Sequence, residues 1–264
     1  MKKIILPLAL CILGINESSA QLAKTEDVKK SMETTNKDTV AWVHGGVLNI
    51  GVNEGFLHNW AAGGELASFT VNSIFSGHID KLHHRSIWSN NLDLAYGLNY
   101  TYSSGFVPRK TDDRIDFTSK YGVRIDTAKD LYFTGLFNFK SQFTKGYDYT
   151  LPNWDTAPTS NFFTPAYFTL AAGAEYRKGS DVSIFFSPVA GRLTVADKYY
   201  TSKSPTGAFG VPYNKTTFYQ FGAYFSGRYI FHVNKNVVYK TRLDLYSNYI
   251  AKDTKDSTGQ VIKK

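Results

Sequence analysis

The densest run of ionisable side chains lies between residues 109 and 120, where Arg109, Lys110, Asp112, Asp113, Arg114, Asp116 and Lys120 follow at short intervals. Alternating signs at this range suit an ion-pair network. Such a network can recognise a charged solute, or it can plug a narrow space with paired charges from neighbouring strands; the second reading is the simpler one, because small barrels are filled by their own side chains. Hydrolysis would need a nucleophile, a base and an orienting group. The histidines are His44, His58, His78, His83, His84 and His232. His44 has no serine beside it. His83-His84 stand next to Ser86, but neighbours in a tight turn rarely align as nucleophile and base. Asp112-Asp113 with His58 is the other arrangement that could hydrolyse a peptide. His83-His84 lack a third metal ligand at suitable spacing, and Gly63-Gly64 are not followed by the lysine of a phosphate loop. No cofactor and no metal are expected.

The elements that must position these groups are strands. From Trp42 onward, segments of ten to fifteen residues alternate apolar and polar, the period of a strand with two unlike faces. Residues 237–249 set Val237, Tyr239, Leu243 and Leu245 against Lys240, Arg242, Asp244 and Asn248. Residues 113–126 set Ile115, Phe117, Tyr121 and Val123 against Arg114, Asp116, Lys120, Arg124 and Asp126. Residues 131–145 and 91–102 behave alike. The pattern predicts nine strands, at 42–53, 66–80, 87–102, 112–126, 130–146, 166–177, 181–196, 217–232 and 236–249. Links after the even-numbered strands are short. Those after the odd-numbered ones are longer, the longest being 147–165 and 197–216. Short turns on one side and long loops on the other are the asymmetry of an outer-membrane barrel, and strands of this length cross a bilayer at a tilt. The segment Asn59-Trp60-Ala61-Ala62-Gly63-Gly64-Glu65 is either a loop folded into the mouth or an ordinary outer loop with Trp60 at the interface.

Across the predicted polar faces stand eight bases, Arg114, Lys120, Arg124, Lys140, Arg177, Arg228, Lys240 and Arg242, and five acids, Asp93, Asp116, Asp126, Glu175 and Asp244. The excess of three positive charges implies a mild anion preference if the lumen is open.

The start of the chain is an export signal. Lys2 and Lys3 precede an apolar stretch from Ile4 to Leu13, and Ser18-Ser19-Ala20 offers small residues for cleavage after Ala20. Residues 21–40 are polar and charged and are read as a flexible periplasmic segment. Cys11, the single cysteine, lies inside the signal behind a bulky Leu10, so lipidation is disfavoured and the cleaved chain has neither disulfide nor thiol chemistry. Cleavage removes Lys2, Lys3 and Glu17 and takes the formal charge from +8 to +7. The basic residues are spread through alternating segments, not gathered on one arm, which argues against nucleic acid as a partner. The aromatic content of 16% suits interfacial belts. After the signal no apolar run is long enough for a membrane helix, and without one a spanning chain must be a closed barrel.

Several segments resemble an uncharacterised family of barrel proteins from Bacteroidota, catalogued as a domain of unknown function. The longest is Arg109-Lys110-Thr111-Asp112-Asp113-Arg114-Ile115-Asp116-Phe117-Thr118-Ser119-Lys120-Tyr121-Gly122. Shorter ones are Asn59 to Glu65, Asn138-Phe139-Lys140-Ser141-Gln142-Phe143 and Tyr239-Lys240-Thr241-Arg242-Leu243-Asp244. The resemblance implies about twelve strands, and barrels of a single bacterial chain have even strand numbers. This chain, ending in Val261-Ile262-Lys263-Lys264, is therefore expected to lack its last strands. The family brings no activity and no catalytic residue.

Taken together, the expectation is an all-β, antiparallel, up-and-down transmembrane β-barrel over residues 41–264, incomplete at its C-terminus. Its expected setting is the outer membrane, with membrane lipid and envelope proteins as partners and the solute unspecified. It is read as a narrow channel or a structural or docking component. The alternative is a barrel enzyme acting on lipid or peptide at the outer rim.

Overall fold

The structure is a computed structural model that describes residues 41–57, 64–126, 130–178, 181–234, 237–250, 254–255 and 261–262. The export signal and the polar segment at 21–40 lie outside these residues, as do Trp60 and His58.

Nine antiparallel strands form one sheet in chain order: β1 (Ala41–Phe56), β2 (Ala67–His83), β3 (Ser86–Thr101), β4 (Arg109–Asp126), β5 (Leu131–Ser141), β6 (Ala166–Lys178), β7 (Val182–Val195), β8 (Thr217–His232) and β9 (Val238–Asn248). All nine predicted strands are present. A separate two-residue ladder joins β10 (Thr254–Lys255) to β11 (Val261–Ile262). Among the described residues, regular helix is confined to short turns at Tyr102–Ser104 and Trp154–Thr156 and to α1 (Lys198–Thr201). No helix among the described residues is long and apolar enough to cross a membrane. The sheet is open: β1 and β9 are its edges and do not pair with each other.

β5 leaves the sheet where side chains intercept the ladder. β5 was expected to run to residue 146 but stops at Ser141. The cause is local. Asp113 takes the backbone N–H groups of Phe143 and Thr144, at 2.6 and 3.0 Å, and the Gln142 amide donates to the carbonyls of Asn161 and Thr164. β2 and β3 in turn run closer together than expected, to a two-residue connection at His84 and Arg85, with His84 in the left-handed region at φ 40°. Between β6 and β7 the register shifts at Gly173, where an added Cβ would overlap the Phe186 carbonyl; only glycine allows that close approach.

The two faces of the sheet differ in chemistry. On β6, Leu170, Ala172, Ala174 and Tyr176 are exposed, while Thr169, Ala171, Gly173 and Glu175 between them are buried. The apolar face is thus the accessible one: Leu170 is 63% exposed and Tyr219 67%, whereas Glu175 is 0%. Contacts across several strands occur on the polar face. The Lys120 ammonium on β4 lies 5.6 Å from the Phe185 ring on β7. Three strand spacings in a flat sheet would separate them by about 14 Å. The sheet therefore curls around its polar face, which becomes the inside. A small apolar cluster also sits there, Leu136, Ala171, Phe185 and Ala190, with Tyr224 and Tyr246 packed against it.

Candidate functional site

The inward face of β4 to β7 converges on one carboxylate. Glu175 reaches it because residues two apart on a strand share a face, and the antiparallel register sets it opposite Tyr132 on β5 and Phe185 on β7. Its oxygens accept hydrogen bonds from Thr134 Oγ1 at 2.9 Å and Ser183 Oγ at 3.2 Å. They also take Arg177 Nε at 3.0 Å and Lys120 Nζ at 3.5 Å. Around this hub, Tyr132 receives Arg124 at its hydroxyl, 2.6 Å from Nη2, while the guanidinium of Arg124 and that of Arg177 both lie against its ring. Arg124 also pairs with Asp130 in the β4–β5 turn at 3.3 Å. The network stands at the short-turn end of the sheet, on its inward face. Every oxygen lone pair that the buried acid presents has a donor nearby, which is what a buried charge requires.

Farther along the inside, Asp116 pairs with Lys140 at 3.3 Å and accepts from Asn138 at 2.6 Å, and Asp93 accepts from Ser76 at 2.6 Å. Asp112 and Arg114 share that face by register, opposite Gly97 and Ala95, and Arg114 is exposed. Tyr224 donates to Asp244 at 3.3 Å. Arg242 and Lys240 take the ladder positions opposite Arg228 and Ile230. The register adds Asp80, through its pair with inward Ser89, and Arg192, which stacks on Tyr246 at 4.4 Å. With Asp80 and Asp112 counted, the expected surplus of positive charge shrinks.

Lys110 and Asp113 belong to a different assembly. They pair at 2.7 Å at the loop end of β4, where Asp113 stands opposite the outward Tyr96, and together they hold the first residues of the β5–β6 loop. Arg109 lies over the Tyr149 ring at 5.3 Å, and Tyr147, Tyr149 and Trp154 form an aromatic cluster in that loop. The loop is braced by its neighbour between β7 and β8, through Lys203 to the Pro158 carbonyl at 2.9 Å and Asp197 N–H to Thr164. At the β1–β2 loop, Glu65 accepts from both the hydroxyl and the backbone N–H of Ser103, and these bonds hold its carboxyl below the usual range. So the 109–120 run, continuous in sequence, is divided by the pleat into a clamp at the loop end and a network on the inward face.

Of the groups considered for hydrolysis, His58 lies outside the described residues, and the others form no nucleophile–base pair. Ser86 donates to the His83 carbonyl at 3.3 Å instead of an imidazole. Both oxygens of Asp113 are occupied by Lys110, Phe143 and Thr144. Among the described residues no three His, Cys, Asp or Glu side chains gather as metal ligands.

Residues 52–147 match a family described as a protein of unknown function (DUF3078). The matched stretch runs from within β1 through β5 into the β5–β6 loop. It thus holds the whole 109–120 run and, of the hub, Lys120, Arg124, Tyr132 and Thr134, while Glu175, Arg177 and Ser183 lie beyond it. Neither the curated proteins nor the solved structures gave a match.

Proposed function

We propose that this chain builds the wall of an outer-membrane β-barrel whose lumen is constricted by the Glu175 network. In this reading it serves the envelope as a structural or docking component, without catalysis and without a wide aqueous pore. One observation carries it: the sheet is inside-out for a soluble protein, with aliphatic and aromatic side chains exposed on one face and an ion-paired face curled inward. In water the exposed face is a large apolar patch that soluble proteins avoid; in lipid it is the expected surface. Closure of the barrel brings strand partners to β1 and β9, because unpaired backbone groups cost several kcal/mol each in hydrocarbon. The loop asymmetry supports short turns on the periplasmic side and long loops outside. That orientation follows export by the N-terminal signal, cleaved after Ala20.

Planar-bilayer recording tests the function. A constricted barrel gives small or no current steps, and Glu175→Ala together with Arg177→Ala enlarges them. Large, stable steps from the unaltered protein would overturn the constriction, and a reversal potential near zero under a salt gradient would remove any anion preference.

A further inference from the structure

The outward face carries one cross-strand row unlike the rest. Starting at the short-turn end, the ladder aligns Trp42 of β1 with Lys81 of β2, Trp88 of β3 and Tyr121 of β4, side by side on the accessible face. Trp42, Trp88 and Tyr121 are 55%, 42% and 53% exposed. The Lys81 ammonium sits 5.2 Å from the Trp42 ring centre, and the two indoles are 6.3 Å apart. Trp88 is fixed by its Nε1–H, which donates to Ser119 Oγ at 3.0 Å. Two rows farther along the same face the side chains become wholly apolar: Leu92 and Phe117, then Leu48, Phe75, Leu94 and Ile115. Lys81 is the cation of this row, and among the described residues it has no carboxylate partner.

We propose that this row is a binding site for the phosphate of an anionic membrane lipid, in the leaflet facing the short turns. The proposal rests on the barrel reading. A lysine on a lipid-facing surface, held against the Trp42 indole and flanked in the ladder by Trp88, sits at headgroup depth, where Trp and Tyr are at home. The headgroup phosphate then supplies its counter-charge, with the Tyr121 hydroxyl as a further polar neighbour at the same level. The acyl chains run along the apolar rows beyond.

The experiment uses the full chain refolded into vesicles of equal parts phosphatidylcholine and phosphatidylglycerol, with retained lipids counted by native mass spectrometry. The unaltered protein should retain phosphatidylglycerol preferentially. Lys81→Gln should cut that preference about fivefold, the equivalent of about 1 kcal/mol for one basic side chain at an anionic surface. Lys215→Gln, in an outer loop, should leave it unchanged. Equal retention of both lipids by the unaltered protein, or equal preference in the Lys81 variant, overturns the site. Flotation with the vesicles is scored in parallel. A chain that does not float overturns the barrel reading and the site together, whereas a chain that floats without Lys81-dependent retention overturns the site alone.

Discussion

Replacing Glu175 by Gln removes the charge of a fully buried side chain and leaves Lys120 and Arg177 facing a neutral amide. Removing one partner of a fully buried pair costs about 3–5 kcal/mol, because the remaining charge loses its compensation. Here the two cations keep 20% and 25% side-chain exposure, so water relieves part of the loss and the low end, about 3 kcal/mol, is expected. Alanine would add the loss of the hydroxyl bonds from Thr134 and Ser183, about 1 kcal/mol each. The assay is urea unfolding of the reconstituted protein followed by tryptophan fluorescence. With a slope near 3 kcal/mol per molar, Glu175→Gln should lower the midpoint by about 1 M. The apolar triple variant Lys120→Met, Glu175→Leu, Arg177→Met should regain most of the stability, since exchanging a whole buried network for packed apolar groups is close to neutral. A Glu175→Gln midpoint equal to that of the unaltered protein would refute the reasoning.

Two further outcomes concern the loop end of the sheet. Asp113→Ala strips the Phe143 and Thr144 N–H groups and Lys110 of their acceptor, so the β5–β6 loop should open with a cost of about 2 kcal/mol. Limited proteolysis within 142–165 should then accelerate about thirtyfold. The Glu65–Ser103 bond depresses the Glu65 pKa, so its stabilising effect is present above the ordinary carboxylate range and is lost as pH falls through the lowered value. Ser103→Ala should raise the Glu65 pKa back toward 4.5, measured by carboxyl carbon NMR.

The strands were readable in the sequence because their two faces differ so sharply; Leu92, Leu94 and Tyr96 against Asn91 and Asp93 leave one period to choose. The end of β5 was not readable, because alternation continues through Gln142 and Phe143 and only the Asp113 carboxylate, thirty residues earlier in the chain, pulls the backbone away. Glu175 could be placed on the polar face but not recognised as the hub. Its partner Lys120 is fifty-five residues distant, and their meeting depends on the register of β4, β5 and β6 and on the curl of the sheet. Thr134, Ser183 and Tyr132 escaped for the same reason: they are ordinary strand residues until register gives them a neighbour. The Trp42–Lys81–Trp88 row had a weak signal, a lysine and tryptophans on separate strands, that only pairing brings into line.

The central claim is that the apolar face of the sheet meets hydrocarbon and the polar face does not. Spin labels on single cysteines along β6, introduced with Cys11→Ser into the reconstituted full chain, measure this directly through collision with oxygen and with a water-soluble nickel complex. Labels at Leu170, Ala172 and Ala174 should be reached by oxygen and shielded from nickel, whereas those at Thr169 and Ala171 should be shielded from membrane oxygen, giving a two-residue alternation along the strand. Nickel access at Leu170, Ala172 and Ala174 equal to that of a water-exposed loop would contradict the account.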